Sequence, residues 1–319
     1  MKCDRFFVQL GRLLPALLMS ALLFGLSGCA AIPDEVSQLA DPDIVVELSA
    51  TPFYPQERFQ CGPAALATVL ESSEVAVNLD DLASKVYIPG REGSLQVELI
   101  AATRNSGRLP YVLDQSLSAL VGELQEGRPV IVLQNLGIAA FPRWHFAVVI
   151  GYDGTSESVI LRSGTEKRRL TDTRLFLRTW ERGDYWAMSV LAPGALPLNV
   201  SRDRYFAAVA DLEQVGMHAE AAAFWSGALK RWPDDPAALF GLGNSQLHVG
   251  DYIEAERSYR RLLTVRPYLS IASNNLAVAL ARGGKQQQAL ELLLDSLQRE
   301  SDPELIALLR ETLAEIQPK

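Results

Sequence analysis

Three glycines in the last third of the chain, Gly216, Gly250 and Gly284, stand 34 residues apart. The same step separates Ala221, Ala255 and Ala289, and Trp225, Tyr259 and Leu293 keep the register. Pro233 and Pro267 close the first two units. A repeat this short cannot enclose a core of its own, so each unit must bury its apolar face against its neighbours. The Ala-rich texture between the glycines reads as paired helices, with glycine at the turn, alanine where helices approach, and proline ending the unit. Three units reach the minimum for a stacked core, and "DPELIALLRETLAEI" supplies a helix to cap the open end. The three-unit pattern leaves His218 and His248 as ordinary helix or turn residues.

The pattern is similar to the tetratricopeptide repeat, which implies a concave surface that docks peptides or protein partners. It starts after Pro193 and Pro197 and sets one domain at 196–319. A chain of 319 residues has room for about one more domain upstream. Its 48% hydrophobic and 21% charged residues suit a globular protein. The net charge of −8 lacks the basic footprint of a nucleic-acid binder, so nucleic acid is excluded as a partner.

Residues 1–28 read as a signal rather than as fold. Lys2, Arg5 and Arg12 precede the apolar run "LLPALLMSALLFGLSG", which is shorter than the ~20 residues a membrane span needs. "LSGC", ending at Cys29, resembles the lipobox of bacterial lipoproteins; a plain secretory signal is the alternative. The resemblance implies cleavage before Cys29, lipid on that cysteine, and a stable membrane anchor of several acyl chains. Ala30 after the cut, in place of Asp, points to the outer membrane, facing the periplasm. Residues 29–47 are then a linker, and the first folded domain is expected at 48–195.

Of three cysteines, Cys3 leaves with the signal and Cys29 is lipidated, so Cys61 is the one free thiol of the mature chain. It cannot form an internal disulfide, and no clustered ligands supply a structural zinc site. A buried apolar residue and a nucleophile remain as readings. In "QERFQCGPAALATVL" a helix is expected to start at Gly62–Pro63, with Ala64, Leu66, Ala67 and Leu70 on its apolar face. Cys61 then sits at the helix N-terminus, where free N–H groups and the helix dipole favour a thiolate. A thiolate nucleophile needs an imidazole partner, and His145 is the one histidine outside the repeats. It opens "HFAVVIGYDG", a strand apolar on both faces and closed by a turn. A satisfied core histidine is the bland reading; the pairing with Cys61 favours catalysis.

These two segments, about 80 residues apart, resemble the papain-like fold of the bacteriocin-processing (double-glycine leader) peptidases over residues 48–192. The resemblance implies an α+β cysteine peptidase domain with Cys61 as nucleophile, His145 as general acid/base and an upstream glutamine in the oxyanion hole. Gln56 matches in type but stands five residues before the cysteine, one fewer than usual, and Gln60 is the alternative. The family's acidic third member is missing, because "SVILRSGTEKRR" puts Ser163 near its position. Serine can accept an imidazole N–H but lacks the charge that steadies an imidazolium. Asp153 and Asp172 are substitutes, each with a plain turn role as its alternative.

Elsewhere in this domain, "LDDLASKVY", "SLQVELIAATRNSG" and "SLSALVGELQEG" are expected as helices, the first two capped by Asp80 and Ser94. "PVIVLQNL", "SVILRS" and "WAMSVLAP" are expected as strands, with "GIAAFPRW" as a loop along the cleft. No residue pattern calls for a metal or an organic cofactor. The expected fold class is therefore an α+β papain-like cysteine peptidase domain followed by an all-α tetratricopeptide-repeat domain. Three functions fit: a membrane-anchored peptidase acting on a peptide or protein substrate, a non-catalytic peptide-binding scaffold, or a thioester-forming acyl or amide transferase. For the first, the resemblance implies cleavage of a peptide or leader after a pair of small residues.

Overall fold

The computed structural model describes residues 42–55 and 60–317. Cys29, Gln56 and the signal segment lie outside the described residues. A seven-stranded sheet organises the N-terminal part in the order β2-β7-β3-β4-β5-β6, with β1 also pairing β4. Its strands are β1 (Val45–Glu47), β2 (Leu109–Val112), β3 (Val130–Asn135), β4 (Trp144–Asp153), β5 (Ser158–Ser163), β6 (Glu166–Asp172) and β7 (Ala187–Leu191). All pairings are antiparallel.

The central strands are apolar on both sides because each feeds two cores. Successive side chains of a strand point to opposite faces. Ile131, Leu133, Phe146, Val148, Ile150, Met188 and Val190 pack on one face with helices α1 (Cys61–Ser72), α2 (Leu79–Val86) and α3 (Gln96–Asn105). Val130, Val132, Ala147, Val149, Ala187 and Leu191 turn to the other face, covered by α4 (Leu117–Gln125) and α5 (Thr173–Glu181). Helix α1 is buried all round from Gly62 to Leu70, beyond the single apolar face expected of it. Its run of Ala, Leu and Val lets it sit directly against the sheet.

The expected helices form, with different caps. Asn78, not Asp80, caps α2 through the Asp81 N–H at 3.0 Å. Ser94 caps nothing: Leu95 holds the N-cap position of α3 without a side-chain bond. Strands β1, β2 and β6 and helix α5 are additional to the sequence reading. The alternation in "EKRRLTD" is nearly all polar because β6 is the outer strand of the sheet path, with most of its residues exposed.

Helices α6 (Arg202–Gln214) to α12 (Pro303–Ile316) follow, in pairs broken by Gly216, Gly250 and Gly284. All three glycines have φ between +82 and +85°, the left-handed region that a side chain resists. Ala221, Ala255 and Ala289 are fully buried at the helix crossings, as their register requires. His218 and His248, in the first two pairs, stack with ring centroids 4.3 Å apart. Among the described residues no helix is long and apolar enough to cross a membrane.

The repeats are not tethered loosely. Tyr205, Phe206, Phe224 and Trp225 enter the same core as α4 and β2. Tyr111 of β2 accepts the Ser201 N–H at 3.0 Å, Arg204 pairs with Asp114 at 2.8 Å, and Arg104 of α3 pairs with Asp211 of α6.

Candidate active site

Cys61 is the first residue of α1, and its sulfur lies against β4. The backbone N–H groups of Phe146, Gly62 and Cys61 itself all favour the thiolate. Phe146 directly follows His145, so the N-terminus of the helix and the start of the strand meet at one point. Gly62, next to Cys61, leaves room for Ser94 on the connection leading into α3, which any side chain there would overlap.

His145 is the second residue of β4, opposite Gln134 of β3. Its Nε2 lies 2.8 Å from the Ser163 Oγ at the end of β5. With Nε2 taken up by the hydroxyl, Nδ1 is the nitrogen left for chemistry at the cysteine. Both residues line a cavity of about 820 Å³, whose walls include Arg91, Ser94, Arg143, Trp144 and Asp184.

The resting charge state differs from the thiolate expected at the helix tip. Burial pushes the Cys61 thiol up, against the pull of the three N–H groups. Burial also pushes the His145 imidazole down to about 4, and the nearby guanidinium groups of Arg169 and Arg143 add to this. Enclosure in protein disfavours the charged form of each group. At neutral pH the pair therefore rests as thiol and neutral imidazole, and no hydrogen bond joins them among the described residues.

Sequence comparison bears on what this geometry belongs to. Residues 49–187 match the model of the Peptidase C39 like family. Residues 206–270 and 242–304 match that of the Tetratricopeptide repeat. The chain joins a C39-like peptidase domain to tetratricopeptide repeats. No curated protein matches it. Among solved structures, it is 19% identical to a protein from Bacillus anthracis named as a C39-like peptidase (TM-score 0.40, covering 47% of this chain and 98% of that one). A double glycine motif protease from an AMS/PCAT transporter, in complex with the leader peptide, is 20% identical (TM-score 0.32, covering 49% of this chain and 94% of that one). The peptidase domain of Streptococcus ComA, a bi-functional ABC transporter involved in a quorum sensing pathway, is 16% identical (TM-score 0.36, covering 44% of this chain and 98% of that one).

Within the C39-like domain the two substitutes for an acidic partner are accounted for elsewhere. Asp153 ends β4 at the far end of the strand from His145, where its Oδ1 accepts the Ser156 N–H at 3.1 Å. Asp172 caps α5, accepting the N–H groups of Arg174 and Leu175. Gln60 occupies the N-cap position of α1 without a side-chain cap bond.

The β3–β4 hairpin brings residues that the sequence reading did not single out. Asn135 accepts the N–H groups of Gly137 and Arg143, both at 2.9 Å, and its carbonyl accepts Arg182 Nε at 3.1 Å. This brace holds the expected cleft loop, of which Arg143 and Trp144 line the cavity. The sequence signal for Arg143 was its place two residues before His145.

Proposed function

We propose that this chain is a cysteine peptidase that cuts a peptide or protein substrate, with the repeats docking that substrate or a partner protein. The observation that carries the reading is that Cys61 and His145 line one cavity, with His145 Nε2 lying 2.8 Å from Ser163 Oγ behind it.

In the first step Cys61 Sγ attacks the carbonyl carbon of the scissile bond and His145 Nδ1 takes the thiol proton. Starting from a neutral pair, the proton moves as the new bond forms, so charge develops only with substrate in place. The carbonyl oxygen becomes an oxyanion. The Cys61 backbone N–H at the helix start stabilises it, together with Gln56 by its position in the sequence. The imidazolium then gives its proton to the leaving amine, the C–N bond breaks, and a thioester remains on Cys61. Water, deprotonated by His145, attacks that thioester; the acid product leaves and the proton returns to sulfur. Ser163 accepts the Nε2–H throughout and keeps the ring turned toward the cysteine.

The match to the C39-like family and the cleft at Cys61 support the peptide class. The lipobox supports a lipid on Cys29, holding the protein at the bacterial outer membrane on the periplasmic side. Digestion of a proteome-derived peptide library by the intact protein tests the activity. Cleavage lost in both Cys61→Ala and His145→Ala is the expected result; cleavage that survives Cys61→Ala would overturn the reading. Membrane retention of Cys29→Ala would likewise remove the anchor.

A further inference from the structure

The charge around His145 is unusual for a general acid/base. Its one hydrogen-bonded partner among the described residues is a neutral hydroxyl. The charged groups that bear on it are guanidiniums, Arg169 and Arg143. Arg169 has a partner, Glu166, at 3.6 Å on the exposed face of β6. Arg143 has none. It is exposed on the cavity wall beside Trp144, and Arg91 lines the wall from the connection before α3. Among the described residues neither the Arg143 nor the Arg91 guanidinium has an ion-pair or hydrogen-bond partner. Glu92 and Asp184 also line the cavity, yet no ion pair joins either to these arginines.

We infer that Arg143, with Arg91, forms a subsite for a carboxylate carried by the substrate next to the scissile bond. The inference deepens the peptidase reading and rests on it for the word substrate. A guanidinium offers a planar fork of donors matched to a carboxylate. Two such groups left unpaired at a cavity wall favour an anion there. A bound carboxylate would also offset the cations facing His145 and favour the imidazolium while the reaction needs it. The substrate would then supply the negative charge that Ser163 does not. The carboxylate can be an Asp or Glu side chain, or the C-terminus of a short peptide.

Alkylation of Cys61 in the intact protein tests the charge without catalysis. The probes are iodoacetate and iodoacetamide, alike except for the carboxylate, with N-acetylcysteine amide as the reference thiol. The iodoacetate-to-iodoacetamide rate ratio should exceed the reference by about tenfold, as expected for unlike charges a few ångströms apart near a surface. It should fall toward the reference in Arg143→Gln and in 1 M salt, where screening acts over about 3 Å, and persist in Arg143→Lys. A ratio equal to the reference, or one that Arg143→Gln leaves unchanged, overturns the subsite.

The peptide library then separates the sources. Cuts concentrated beside Asp and Glu assign a side chain. Cuts confined to the ends of free-acid peptides, and lost on C-terminal amidation, assign the terminus. Indifference to both overturns the inference. If nothing is cut while alkylation remains charge-selective, the peptidase reading falls and the anion subsite stands.

Discussion

Glu123 and His145 are both ionisable side chains enclosed in the same domain, and the fold treats them in opposite ways. Glu123, 1% exposed, accepts Arg128 through Nε at 2.7 Å and a second nitrogen at 3.2 Å. It also accepts the Ser189 hydroxyl at 2.7 Å and the Leu198 N–H at 2.9 Å. One carboxylate thus ties α4, β7 and the segment leading to the repeats. Among the described residues His145 has a single hydroxyl as partner, and the charges that bear on it are cations. Buried charge that builds a joint is fully paired, since an unpaired charge costs several kcal/mol. Buried acid–base groups left short of partners are the mark of a site whose remaining partner is expected from outside.

The contrast breaks most easily at Glu123. Glu123→Ala strands Arg128, Ser189 and the Leu198 N–H together, and removal of one partner from a buried pair costs about 3–5 kcal/mol. The urea midpoint should drop accordingly, whereas His145→Ala, expected to abolish cleavage, should shift it much less. Equal shifts in the two variants would mean that Glu123 is no more a structural joint than His145.

The second test uses pH. His145 takes a proton at about 4 in the folded chain, against ~6.5 for a free imidazole. As pH falls below ~6.5 the unfolded chain binds the proton first, so folding stability declines until the folded group also titrates. The loss from this residue should reach about 3 kcal/mol at pH 4 and below. Unfolding of the wild type and of His145→Gln, compared at pH 7 and pH 4, checks it: the variant should lack that part of the acid loss. The same neutral pair means that iodoacetamide labelling of Cys61 should rise only at alkaline pH, above the ~8.5 of a free thiol. Labelling that persists well below pH 7 would restore the resting thiolate.

The repeats could be read from the sequence because one register recurs, and each glycine, alanine and proline is demanded by the same local geometry three times over. The central strands were equally plain, since burial on both faces leaves an unbroken apolar run such as "HFAVVIG". Strand β6 was hidden because an outer strand with exposed residues carries little apolar signal. At the site, the positions of Cys61 and His145 follow from local start signals of a helix and a strand. Their charge does not. The helix end alone favours a thiolate, but enclosure by the sheet outweighs it at Cys61. At His145, enclosure together with the arginines of the β3–β4 hairpin and β6 disfavours the imidazolium. Apart from Arg143, those contacts join residues far apart in sequence. The depth to which α6 and the next helix (His218–Arg231) share the sheet's core was hidden for the same reason.

The finest test lies at Ser163. Removing its hydroxyl leaves the buried Nε2–H of His145 unpaired and the ring less firmly held. A hydrogen bond of this kind is worth about 1 kcal/mol, so Ser163→Ala should slow cleavage by roughly fivefold to tenfold. Ser163→Asp asks more of the same contact. A carboxylate at that position favours the charged imidazole and should raise its pKa by about one unit or more. The acid limb of the rate profile should then move up from about 4, and Cys61 should label at lower pH as the ion pair becomes populated. If both stay where the wild type has them, the hydrogen bond to Ser163 does not set the charge of His145, and burial with the field of Arg169 and Arg143 does.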